Sequence, residues 1–416
     1  MPLSADCCLP CLPPLAKRPT GAAASAAPPA AAADAAPCPT AVPSQGSRAC
    51  LRRFSWRRLE DEPAERRAFC EAVSARGFAL VKMPDAMRSA VAEMKPLAIE
   101  FFNQPREERC ALGRLRLYRD KVVGYRELAG GAARFLEVHA LAGMGSIPKP
   151  RRLAGFSPAA VRLHAQFLGM ARTMIAWLAE HAGVPPAALL QCLDGASLEN
   201  LETGDCGASV LRLACYGLDE DAAVEARAGG EACGVGKTEA GGLVTFDEHT
   251  DASYVTLAPV CTVPGLQMRS PEDGDAWVDI EAAQLSHDQA REDYLVAFAG
   301  DFLEVLTKGR YAAARHRVVV APLPPRADGG LPTIAPVEPP VPGAPRLSMP
   351  FLVRGQPDAL IDTRSFSTDG SLLLVEGMEV RQMRRFLDLK GRTRFGKNGH
   401  LQQLLSPSPY AGDVEC

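Results

Sequence analysis

From residue 208 onward the chain is a series of short apolar runs, often β-branched, separated by Gly, Pro and Asp turns: SVLRLACY, GLVTFDEHTD, SYVTLAPV, GLQMRS, AWVDI, YLVAFAGDFLEVLT, ARHRVVVAP, PRLSMPFLV and GSLLLVEG. Runs this short suit strands joined by tight turns better than they suit helices. So many in succession predict a sandwich or jelly roll. Two stretches, 218–241 and 322–345, read as long insertions in the series. The second is so rich in proline that it cannot form a central strand and is expected to be a loop.

Upstream the pattern is helical. PAERRAFCEAVSAR opens on Pro63, which suits a first helical turn, and stops before Gly77. GFALVKM then reads as a short buried strand. A second helix is expected over DAMRSAVAEMKPLAIEFFN, kinked or broken at Pro96. A third is expected from Ser157 to His181, capped by Ser157, with Val161, Phe167, Leu168, Ala171, Met174, Ile175 and Leu178 as its buried stripe. AALLQCL continues as a short helix. Residues 1–50 are rich in Ala and Pro without periodicity and are expected to be disordered. The organisation read from the sequence is therefore a tail over 1–50, a mainly helical part over 51–207, a β core over 208–362 and a C-terminal extension over 363–416. The fold class is mainly β with flanking helices (α+β).

Composition narrows the function. Hydrophobic residues make up 47% of the 416 and charged residues 23%, enough to bury a sizeable core. A net charge of -3 gives no sign of a nucleic-acid or phospholipid partner. No apolar run approaches the roughly 20 residues that span a bilayer. The 13 cysteines are an odd number, which argues for free thiols in a reducing compartment. A cytoplasmic location is expected, or an organelle if residues 1–50 act as a transit peptide; their only acids are Asp6 and Asp34.

The chemistry begins at FDEHTDASYVTL. His249 and Asp251 are two apart, so on a strand they share a face, and by the same alternation so does Asp247. A third ligand must come from another strand, and His316 in GRYAAARHRVVV is the candidate. Two imidazoles and one carboxylate on one face of an octahedral iron leave three positions open, enough for a bidentate keto acid and O2. The other histidines, His139, His164, His181, His287 and His400, have no such company and read as ordinary surface or core residues. In PRLSMPF, Arg346 and Ser348 again share a face. A guanidinium can grip a carboxylate with two bonds and a hydroxyl can add a third. A buried Arg346 needs an anionic partner, which a dicarboxylic cosubstrate or a structural Asp or Glu would supply. Phe246, Tyr125, Phe135 and Phe351 are aromatic residues suited to a core or to a pocket wall.

HxD, then GRYAAARHRVV, then RxS, in that order, resembles the 2-oxoglutarate/Fe(II)-dependent oxygenases related to isopenicillin N synthase and to plant hormone and flavonoid oxygenases. GFALVKM, FFNQPREER, PGLQMRS…GDAWVDI and AFAGDFLEVLTKGRY are similar to further segments of that family, so the resemblance covers roughly residues 65–362. It implies a double-stranded β-helix (jelly roll) core with helices outside it. It implies that His249, Asp251 and His316 bind Fe(II), that Arg346 and Ser348 hold the distal carboxylate of 2-oxoglutarate, and that Tyr216 at the end of LRLACY also reaches that cosubstrate. It implies an O2-dependent hydroxylation or desaturation of a small-molecule substrate, with succinate and CO2 released and ascorbate as an auxiliary reductant. This chain has Ala214 where the family often has Asn, and YG where it usually has YP. Two other readings stay open: an iron-dependent oxidase that does without 2-oxoglutarate, and a catalytically silent jelly-roll module that binds a small molecule. The sequence leaves the oligomeric state open.

Overall fold

The computed structural model describes residues 51–112, 115–117, 121–128, 131–141, 145–150, 152–194, 206–217, 236–238, 242–281, 293–307, 309–320, 345–361 and 378–380. The expected tail, most of both insertions, the GSLLLVEG strand and nearly all of the C-terminal extension lie outside these residues.

The first half runs β1 (Arg53–Ser55), α1 (Trp56–Asp61), α2 (Pro63–Arg76), β2 (Phe78–Lys82), α3 (Asp85–Phe102), α4 (Arg106–Cys110), β3 (Leu115–Leu117), β4 (Lys121–Leu128), β5 (Ala133–Leu141), β6 (Gly145–Ile147), α5 (Phe156–His181) and α6 (Pro186–Leu190). The second half runs β7 (Val210–Tyr216), β8 (Gly236–Lys237), β9 (Leu243–His249), β10 (Val255–Pro259), β11 (Leu266–Ser270), β12 (Ala276–Asp279), β13 (Tyr294–Ala299), α7 (Asp301–Leu306), β14 (His316–Val320), β15 (Arg346–Ser348), β16 (Phe351–Leu352), β17 (Leu360–Ile361) and β18 (Met378–Glu379).

Two sheets make the jelly roll. The larger has the order β1-β2-β13-β10-β16-β7-β5-β4-β3, with β15 also on β7 and β6 also on β5; the smaller is β12-β11-β14-β9-β8. Apart from the parallel β1–β2 pair, every pairing within them is antiparallel. The larger sheet's strands β2, β13 and β10 are almost wholly buried, which explains why they read as nearly unbroken apolar runs. On β7, Leu211, Leu213 and Cys215 join a core with Leu163, Phe167 and Met174 of α5, while Ala214 and Tyr216 point to the other face and meet Val318 and Val320 of the smaller sheet. At the other end of the interior, Phe78, Val296 and Phe298 meet Leu266, Met268 and Ile280. Two apolar clusters thus fill the space between the sheets, and no helix among the described residues is long and apolar enough to cross a membrane.

Several local expectations change. Pro96 lies inside α3, which continues through it from Asp85 to Phe102. The cap of α5 is Gly155, one residue before the helix, and Ser157 instead shares a hydrogen bond of 2.8 Å with Ser146. YLVAFAGDFLEVLT is not one strand: β13 stops at Ala299 and α7 starts at Asp301. Strands β3–β6 lie where the sequence suggested no strand, and they extend the large sheet beyond β7. Gly77 does end α2, at φ 84°, a left-handed conformation that favours glycine.

Candidate metal centre and adjoining cavity

His249 closes β9 and His316 opens β14, and the two are direct cross-strand partners. Phe246 pairs with Val318, so β9 holds one residue more than β14 between the two pairings. This bulge breaks strict alternation. It turns Phe246 and His249 to the same side, their rings 4.2 Å apart. Asp247, which alternation assigned to that side, is exposed and contributes its backbone carbonyl instead. Asp251 lies beyond the end of β9, so a turn rather than a shared strand brings it to the two imidazoles. The turn is fixed by Ser253 and Asp301, whose N–H groups both donate to the Asp251 carbonyl at 2.9 Å.

The ligand atoms of His249, Asp251 and His316 all lie within 4.8 Å of one another. Each imidazole has its Nδ1 against a carbonyl, His249 on Asp247 at 2.7 Å and His316 on Ala314 at 3.0 Å. Nδ1 therefore carries the proton, and each Nε2 keeps its lone pair for the cluster. These Nε2 atoms stand 3.8 and 4.0 Å from Asp251 Oδ1. Thr256 Oγ1 donates to Asp251 Oδ2 at 2.7 Å, which leaves Oδ1 facing the imidazoles. His249 Nε2 is buried without a hydrogen-bond partner. A buried lone pair beside a second one and a carboxylate is what a divalent cation would satisfy, so the donor set fits Fe(II). Burial, reinforced by His316, pushes the His249 imidazole down to about 3 against the pull of Asp251. Burial would raise the Asp251 carboxyl, but His316, His249, Arg212 and the Thr256 hydroxyl bring it down to about 2. His249 is thus a neutral imidazole and Asp251 a carboxylate at neutral pH.

Arg346 and Ser348 lie on β15, directly opposite Tyr216 and Ala214 of β7. Arg346 is only 2% exposed. Its Nη2 donates to Glu281 Oε1 at 2.7 Å, while Glu281 Oε2 accepts the N–H groups of Gly265 and Leu266 at 3.2 and 2.8 Å. The structural acid that the sequence left open as a partner is therefore present. Nothing in the sequence marked Glu281, because its role depends on a contact 65 residues away. Arg346 Nε is buried and has no hydrogen-bond partner, so the guanidinium keeps a donor for a further acceptor. Burial disfavours the guanidinium charge, but Cys261, Glu281 and Tyr216 around it raise the Arg346 pKa. The Tyr216 ring lies 5.6 Å from the guanidinium, and burial pushes its phenol up to about 12 although Arg346 and Arg212 pull the other way.

All six residues singled out in the sequence, His249, Asp251, His316, Arg346, Ser348 and Tyr216, line one narrow recess of about 30 Å³. A larger cavity of about 560 Å³ adjoins it on the His249 and Asp251 side. Phe246 lines both spaces and packs on Phe135, with ring centroids 5.3 Å apart. Tyr125 and Phe351 belong to the helix-side core.

The family model of the 2OG-Fe(II) oxygenase superfamily matches residues 228–354, a span that contains all three metal-ligand candidates and both residues of the RxS pair. Over 73 residues the chain is 33% identical to gibberellin 3-beta-dioxygenase 3 of Arabidopsis thaliana, covering 17% of this chain and 19% of that protein. Over 93 residues it is 32% identical to gibberellin 2-beta-dioxygenase 1 of Oryza sativa subsp. japonica, covering 22% of each. These alignments span only about a fifth of the curated relatives' length. The fold agrees over far more of the chain: a solved 2OG-Fe(II) oxygenase family protein from Caulobacter crescentus superposes with a TM-score of 0.55 at 18% identity, covering 80% of this chain and 98% of that one. The triad and the RxS pair thus lie within the span that matches the 2OG-Fe(II) oxygenase superfamily, in a chain with a jelly-roll core.

Proposed function

We propose that this protein is a non-haem Fe(II)- and 2-oxoglutarate-dependent dioxygenase that hydroxylates or desaturates a small organic molecule. The observation that carries the reading is the clustered triad, with one buried imidazole nitrogen left unpartnered toward its two companions. Bound Fe(II) and 2-oxoglutarate would supply the O2-dependent oxidation, with succinate and CO2 as coproducts.

The chain's own residues do the rest. His249 and His316 present Nε2, and Asp251 presents Oδ1, from one side of the metal position. The carbonyls of Asp247 and Ala314 hold the two rings in the ligating tautomer. Arg346 and Ser348 bind the distal carboxylate of 2-oxoglutarate, and the neutral Tyr216 hydroxyl can donate to the same group. Phe246 and Phe298, packed on His249 and His316 at 4.2 and 4.9 Å, keep water from the ligand face. The adjoining cavity receives the substrate.

A second reading rests on one contact. Glu281 already neutralises Arg346 without any added anion, as would suit an iron oxidase that draws its electrons from elsewhere. Turnover separates the two. Purified protein given Fe(II), O2 and 2-oxoglutarate should release succinate, and His316→Ala should abolish that release together with stoichiometric iron binding. Iron retained at full occupancy in His316→Ala would refute the ligand assignment. Substrate oxidation without 2-oxoglutarate consumption would establish the second reading.

A further inference from the structure

One wall of the larger cavity is cationic. Arg126 of β4, Arg212 of β7 and Arg354, two residues after β16, all line it. Two strands and the segment that follows β16 bring them together around Glu137 of β5. Glu137 faces Arg212 in the β5–β7 register and Gly124 in the β4–β5 register, which places Arg126 on the diagonal. Arg126 Nη2 donates to Glu137 Oε1 at 3.1 Å and Arg212 Nη2 to the same oxygen at 2.9 Å. Burial would raise the Glu137 carboxyl, yet Arg212, Arg126 and Arg354 together bring it down to about 2, a sign of how positive the potential is there. The arginines also have a fixed position relative to the metal centre. Arg126 and Arg212 lie 5.0 and 5.4 Å from the Phe135 ring, Phe135 packs on Phe246, and Phe246 packs on His249.

The remaining lining is of two kinds. Glu248 is committed to Arg269 and Arg315, Asp251 belongs to the triad, and Asp247 is exposed. Leu128, Val244 and Leu352 are apolar. A buried ion pair is weak as a stabilising device, and apolar residues of similar volume would often hold the sheet as well. Planar guanidiniums grouped on a cavity wall are instead suited to bind a carboxylate with paired hydrogen bonds.

We propose that the substrate is an amphipathic carboxylic acid, its carboxylate held by Arg126, Arg212 and Arg354 and its apolar body lying along Leu128, Val244 and Leu352 toward His249. The proposal rests on reading this cavity as the substrate side of the oxygenase centre. It predicts that full-length protein binds phenylbutanoate in preference to phenylbutanamide and phenylbutylamine, as followed by calorimetric titration. Arg126→Gln and Arg354→Gln, both at partly exposed positions, should each weaken binding of the acid by about tenfold and leave the weak binding of the amide unchanged. The paired variant Glu137→Gln/Arg212→Met removes the shared ion pair without stranding a buried charge and should also weaken the acid. Equal binding of acid and amide, no binding of the acid at millimolar concentration, or folded arginine variants that bind the acid as the wild type does would each overturn the proposal. Anaerobic titration of the same preparation with Fe(II) and 2-oxoglutarate reads the oxygenase assignment separately. A chelate band without any preference for the acid overturns the anion site alone. An acid preference without the band leaves the anion site standing and overturns the oxygenase reading.

Discussion

At the scale of single residues, each metal-ligand candidate is oriented by a hydrogen bond from behind. Thr256 does this for Asp251, and two backbone carbonyls do it for the imidazoles. Such partners typically change metal affinity by about 10–100-fold when removed. Thr256→Val keeps the volume and deletes the hydroxyl, so Fe(II) affinity measured by chelator competition should fall by about tenfold or more. An unchanged affinity would show that Asp251 is oriented by its turn alone. The triad was legible in the sequence because ligand chemistry restricts a site to few residue types and fixes the HxD spacing. Thr256 and Glu281 were not, because any hydroxyl or carboxylate can form a hydrogen bond and only the fold selects which one does.

At the scale of elements, the decisive features are a bulge and a close approach. The extra residue in β9 puts Phe246 beside His249, which no alternation rule could foresee. The turn carrying Asp251 rests on Gly300, at the junction of β13 and α7. A Cβ at Gly300 would overlap the Ser253 carbonyl and hydroxyl oxygens and come within 2.8 Å of the Asp251 carbonyl. Gly300→Ala should therefore cost about 1–3 kcal/mol of stability and weaken Fe(II) binding by displacing Asp251. Thermal unfolding and chelator competition check the two effects, and wild-type values for both would contradict the packing account. α2 was readable from its terminal Pro63 and Gly77. The strand-to-helix switch at Gly300 was not, since an apolar run looks alike in a buried strand and a buried helix.

At the scale of the whole molecule, a sheet with helices on one face encloses the site with a second sheet on the other. The strand series after residue 208 announced this jelly roll. The strands β4 and β5 were hidden because Arg126, Glu127, Arg134 and Glu137 interrupt their apolar pattern, and two of these, Arg126 and Glu137, form the cationic wall of the cavity or its counter-charge. Polar residues in an interior obscure the element that carries them. The same wall ties stability to pH. Glu137 has a folded-state pKa of about 2, below the ordinary value of 4.5. The unfolded chain binds the proton more readily, so the stability contributed by Glu137 is complete above pH 4.5 and is lost as pH falls toward 2. Glu137→Gln should lower the Tm at neutral pH, and its gap to the wild type should close over that window; a gap independent of pH would contradict the shift.

On the proposed function, the triad and the Arg346 recess bind Fe(II) and 2-oxoglutarate together. Anaerobic titration of the metal-free protein with both, monitored for the visible metal-to-ligand charge-transfer band of the chelate, tests it most directly. A saturable band is expected, and it should be lost in Arg346→Ala at the same 2-oxoglutarate concentration. Iron binding without a band would contradict the cosubstrate assignment, and no iron binding would contradict the metal centre itself.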